Sequence, residues 1–117
     1  MKMEIRGERK LISPAIRNHA KRRFQFAIGR FEDKVLSVTA RLSDPNGPRG
    51  GKDKCCKIEA RMRGGHELFI EEMGTDLYAS IDLAVERLGH AVRRDVERRK
   101  DAPRHASPTF GWDNLRE

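Results

Sequence analysis

The chain has 117 residues and a mass of 13.4 kDa, room for one domain around a single core. Charged and hydrophobic residues each make up 37%, a polar composition but not that of a chain disordered as a whole, and no apolar run approaches the length of a membrane-spanning helix. A net charge of +7 and a pI near 9.9 favour a polyanionic partner, nucleic acid ahead of an anionic membrane face.

The opening MKMEIRGERK has no apolar core and no small-residue cleavage site, so no export signal is expected. Two neighbouring cysteines, Cys55 and Cys56, make no disulfide framework. Together these imply a soluble protein of the reducing cytoplasm. The charge is unevenly spread. Residues 67–86 hold six acids and no Lys or Arg, while the stretches on either side are basic. Such a chain should offer a polyanion one side only.

Met1, Met3 and Ile5 alternate with Lys2, Glu4 and Arg6, which predicts a first strand ending at Gly7. Ser13-Pro14 is a helix start, with a hydroxyl to cap the free amides and a proline where no N–H is needed. Ile16, Ala20, Phe24, Ala27, Ile28 and Phe31 then fall on one helical stripe. Leu36, Val38, Ala40 and Leu42 alternate as a second strand. Residues 43–53, rich in Gly and Pro, predict a loop. Cys56, Ile58, Ala60 and Met62 form a third strand, and Gly64-Gly65 turns it into a fourth over 67–72.

Thr75 or Asp76 is placed to cap a long helix. Its stripe is Leu77, Ile81, Ala84, Val85, Leu88 and Val92, running on to Val96, with Pro103 beyond its end. The domain is therefore residues 1–101, and 102–117 is expected as a flexible tail. The order β-α-β-β-β-α predicts an α+β two-layer sandwich, a four-stranded sheet with both helices on one face, like a double-stranded RNA-binding domain. The other sheet face is left to solvent or a partner.

Three groups of residues are candidates for binding. On the second helix Arg87, Arg94 and Arg98 repeat at i, i+7 and i+11, with His90 beside them. On the first helix His19, Arg22, Arg23, Phe26 and Arg30 lie off the core stripe. Arg outnumbers Lys in the chain, and guanidinium pairs with phosphate in two-pronged fashion, which favours RNA phosphates over base edges. Phe26 sits between Arg22 and Arg30, where it could stack on a base or meet a partner, although such a residue more often covers a strand edge or the chain's own tail. The loop cations Arg49, Lys52 and Lys54 could touch phosphate, but no P-loop is present.

Adjacent strand residues face opposite ways, so Cys55 and Cys56 cannot share a metal; Cys56 reads as core and Cys55 as outward. The histidines show no ligand spacing with them. Asp76 and Asp82 read as a cap and a polar helix position. With no nucleophile elbow or dinucleotide fingerprint, neither enzyme activity nor a cofactor, metal or small-molecule substrate is expected.

Several segments together resemble the ribosome hibernation-promoting factor and ribosome-associated inhibitor A family, also described as sigma-54 modulators. They are Met3-x-Ile5-x-Gly7, Ile12-Ser13-Pro14-Ala15-Ile16-Arg17 and Asp76-Leu77-Tyr78-Ala79-Ser80-Ile81-Asp82 before a basic helix, and the resemblance covers 1 to about 100. It is to the short form of the family. The resemblance implies the same β-α-β-β-β-α fold and binding to the small ribosomal subunit and its rRNA, in the channel of messenger and transfer RNA, holding ribosomes idle under stress. It matches Arg23, Arg87, His90, Arg94 and Arg98 to places where relatives often carry Lys or Arg, and puts Phe26 where a basic residue is common. A monomer off the ribosome is expected. Two other readings stand beside it: a general structured-RNA-binding module, and a protein-interaction regulator.

Overall fold

The computed structural model describes residues 1–44 and 54–101, with side chains up to Arg99. Strand β1 is Lys2–Gly7, helix α1 Pro14–Ile28, strand β2 Val35–Ser43, strand β3 Lys54–Met62, strand β4 Glu67–Gly74 and helix α2 Leu77–Asp101, with a single 3-10 turn at Gly29–Phe31. The strands lie in the order β1-β2-β3-β4. β1 runs parallel to β2 because α1 carries the chain back across the sheet, and the other pairs are antiparallel. Both helices cover one face, as the apolar stripes require. The tail 102–117 and the loop residues Arg49 and Lys52 lie outside the described residues.

Local chemistry sets the element ends. The Ser13 side chain accepts from Ile16 N at 3.1 Å and Pro14 occupies the first turn of α1. Asp76, rather than Thr75, caps α2: its Oδ1 accepts from Ala79 N at 2.8 Å. Gly7 ends β1 at φ +150°, and a Cβ there would stand 2.5 Å from the Leu42 carbonyl oxygen. The β3–β4 turn uses Gly64 at φ +98° and Gly65 at φ +95°.

The core is one cluster. Ile16, Ala20, Phe24 and Ile28 of α1 and Ile81, Ala84, Val85, Leu88 and Val92 of α2 pack on Val38, Ala40, Leu42, Cys56, Ile58, Ala60 and Met62 of the sheet. At roughly 1.5–3 kcal/mol for each large apolar side chain, this burial outweighs every polar contact in the domain.

One expectation is corrected. Strict alternation put Leu36 inside, but the register shifts between Val35 and Ser37, so Val35 is fully buried opposite Met62 and Leu36 is 46% exposed. Cys55 does face the open side of the sheet, yet it is only 3% exposed. It pairs across to Ser43 and Met73, and its Sγ donates to Glu71 Oε2 at 3.6 Å. Burial, with a smaller push from Glu71, raises the Cys55 thiol above its ordinary range. Burial pushes the Cys56 thiol up to about 12.

The helices meet at Gly89 of α2, where a Cβ would lie 3.5 Å from Ala27 Cβ, an ordinary contact. Gly89→Ala should therefore fit and remove the glycine penalty, adding up to about 1 kcal/mol and a few degrees in Tm by calorimetry. Gly89→Leu should wedge the helices apart and lower Tm. The raised Cys56 thiol predicts a pH effect of definite sign. Below pH 9 the thiol is protonated folded or unfolded, and between 9 and about 12 only the unfolded chain releases the proton. Wild type should lose stability over that window, and Cys56→Ala should lose less of it in alkaline melts.

Candidate nucleic-acid interface

The backs of α1 and α2 form the outer surface of the helical layer. Asp82 Oδ1 lies 2.7 Å from His19 Nε2 and 3.2 Å from Arg23 Nε. Tyr78 meets the His19 ring edge to face, with centroids 4.9 Å apart. These groups are partly exposed, so each ion pair contributes at most about 1 kcal/mol. Their effect is positional. They fix the rotation of α1 against α2, and the Asp82 carboxylate that does so read in sequence only as a polar helix position.

Beyond that tie the two helix backs frame an open cleft of about 370 Å³ lined by Arg23, Phe26, Ala27, Arg30, Glu86, Gly89, His90 and Arg93. Ala27 and Gly89 form its floor, and four cationic or titratable side chains with one acid form its rim. Arg93 Nη2 makes a long contact, 3.4 Å, to His90 Nδ1. The Arg30 guanidinium stands 4.8 Å from the centre of the Phe31 ring. Phe26 is 86% exposed.

The predicted residues thus divide. Arg23, Phe26, Arg30 and His90 come together in the cleft, while Arg22 is exposed farther out on α1. Arg87 turns to the opposite flank of α2, where it donates to Glu72 of β4. Arg94 and Arg98 share its helical stripe and are exposed. Arg93 was missed. Its place is visible only once α1 is known to lie on the flank away from Arg87. Of the loop cations only Lys54 is described, and its Nζ lies 3.2 Å from Asp44 Oδ2.

Of the six acids in 67–86, five are engaged in pairs, a hydrogen bond or a cap, and Glu86 stands at the rim of the cleft. Glu67 pairs with Arg61 and Glu72 with Arg87, Glu71 accepts from Cys55, Asp76 caps α2, and Asp82 holds α1. Among the described residues no carboxylate pairs with Arg22, Arg30, Arg93, Arg94 or Arg98. The open sheet face is different: a depression there around the 68% exposed Phe69 is lined by Arg41, Lys57, Glu59 and Glu71, of mixed sign.

Among the described residues no three His, Cys, Asp or Glu side chains are grouped to hold a metal, and no helix is long and apolar enough to cross a membrane. No curated protein matches the chain. Among solved structures, the Thermus thermophilus Protein Y N-terminal domain is 29% identical with a TM-score of 0.66, the match covering 81% of this chain and 99% of that one. A ribosomal subunit interface protein from Coxiella burnetii superposes with a TM-score of 0.66 at 16% identity, covering 83% of this chain and 99% of its own, which shows a shared fold. The family model for sigma 54 modulation protein / S30EA ribosomal protein matches residues 3–100, nearly all of the described domain. With the β-α-β-β-β-α sandwich and the motifs of β1, α1 and α2 in place, the chain belongs to the sigma 54 modulation protein / S30EA ribosomal protein family.

Proposed function

We propose that this protein is a ribosome-binding hibernation factor that docks on the small subunit through the backs of α1 and α2 and occupies the channel of messenger and transfer RNA, silencing translation under stress. The observation that carries the reading is the row of guanidinium groups without carboxylate partners on the helical face. Arg22, Arg30, Arg93, Arg94 and Arg98, with His90 and the Asp82-held Arg23 beside them, are spaced for phosphates rather than for base edges. Membership of a family described as ribosomal protein supports the partner, and the resemblance to hibernation factors supports the channel. The work asked of the domain is shape and charge. A rigid wedge held on rRNA phosphates competes with transfer RNA for the same space, with no chemical step.

Arg87 contributes less in this account, because Glu72 already holds it. Co-sedimentation with purified small subunits, with duplex RNA as competitor, tests the proposal. The triple variant Arg30→Glu, Arg93→Glu, Arg94→Glu should lose binding while keeping its circular dichroism, and Arg87→Ala should lose less than Arg94→Ala. Each phosphate contact removed should lower the salt slope of log K by about 0.7–0.9. Undiminished co-sedimentation of the triple variant would exclude this face. Binding that duplex RNA competes away would leave a general RNA module.

A further inference from the structure

Phe26 is the most exposed large apolar side chain of the described domain, and nothing among the described residues covers it. The ordinary role of such a residue, closing over a strand edge, is removed by its place on the back of α1, across the helix from the sheet. It stands at a cleft whose floor is made of Ala27 and Gly89, the smallest side chains available, so a flat group can enter. Arg23, Arg30, His90 and Arg93 rim that cleft against the single acid Glu86, and Arg22 lies one turn before Phe26. A planar hydrophobic platform inside a ring of cations fits one ligand chemistry: an unpaired nucleotide, its base on the ring and its phosphates on the guanidinium groups.

We infer that Phe26 is a stacking platform for an unpaired RNA base, so that this chain reads single-stranded or splayed rRNA at a point where a lysine or arginine would give charge alone. The inference rests on the helical face being the RNA face. It adds a preference to it: unpaired RNA over duplex. A protein partner would leave the guanidinium groups of Arg30 and Arg93 without phosphates to meet, and the mixed-sign depression around Phe69 suits a protein better.

The test uses the full chain and a fluorescently labelled single-stranded 12-mer RNA, with the same sequence as a blunt duplex for comparison. Phe26→Ala should weaken binding to the single strand by roughly ten-fold and leave duplex binding and the salt slope unchanged, since no phosphate contact is removed. Phe26→Trp should restore the affinity. In a Trp112→Phe background, the tryptophan at position 26 should be quenched when the single strand is added. Equal affinity of Phe26→Ala and wild type for the single strand would overturn the inference, as would a loss that is the same for duplex. Blue-shifted emission insensitive to RNA would overturn it too, by showing a protein segment on the ring. If Phe26→Ala binds normally while Arg30→Glu with Arg93→Glu does not, the charged face stands and the stacking alone falls. If neither change matters, the face itself is wrong.

Discussion

Everything in this domain follows from one constraint: each helix has a single apolar stripe, and the sheet has a single apolar face to receive them. Phe24 and Ile28 of α1 and Leu88 and Val92 of α2 are fully buried, and there is only one layer in which to bury them. The helices must therefore lie side by side on the sheet and touch each other, at Ala27 and Gly89. Their polar backs then become one continuous surface. That helical face is the remainder of the packing problem, and it has no core of its own to hold it in shape.

What holds it in shape is charge used locally. The Asp76-to-Asp82 segment puts its side chains to structural use. Asp76 caps α2, Ser80 Oγ donates to the Lys54 carbonyl at 2.6 Å, Ile81 enters the core, and Asp82 fastens His19 and Arg23. A half-exposed carboxylate stabilises little, so its use is angular: it sets where the guanidinium groups of two helices stand relative to each other. The buried Asp95, 2.9 Å from His66 and 3.4 Å from Arg99, ties the far end of α2 to the β3–β4 turn. Asp76, Asp82 and Asp95 act as anchors, while Arg22, Arg30, Arg93, Arg94 and Arg98 are left facing outward.

Much of the fold was legible because it is written in short-range signals. Ser13-Pro14, the alternation of Ile58, Ala60 and Met62, and Gly64-Gly65 each act within a few residues, and the structure has an element end or a strand at each. Leu36 was misplaced since one extra residue before Ser37 inverts the facing, and alternation alone carries no mark of a bulge. The site was legible as a composition and not as a geometry. Arg87 and Arg94 share a stripe, yet Glu72, 15 positions before Arg87, engages Arg87 from β4. Asp82 reaches His19 across 63 positions, and Arg93 gains its meaning from α1 on the near flank. Burial of Cys55 on the open face depends on Ser43 and Glu71 from two other strands. No periodicity within one segment contains those facts.

The parallel pairing of β1 has a consequence for the order of assembly. Lys2 meets Ser37, 35 positions along the chain, whereas Arg61 meets Glu67 only 6 away. Closing the longer span costs roughly 1.5 kcal/mol more in chain entropy, at about 0.6 kcal/mol per doubling. The β3–β4 hairpin can therefore form on its own local contacts, while β1 has no partner until α1 has brought β2 beside it. Synthesis delivers these parts in the opposite order. Of the four strands of this sheet, β1 leaves the ribosome first yet is among the last to find its neighbour, and until then its row of unpaired amides and carbonyls waits in solvent.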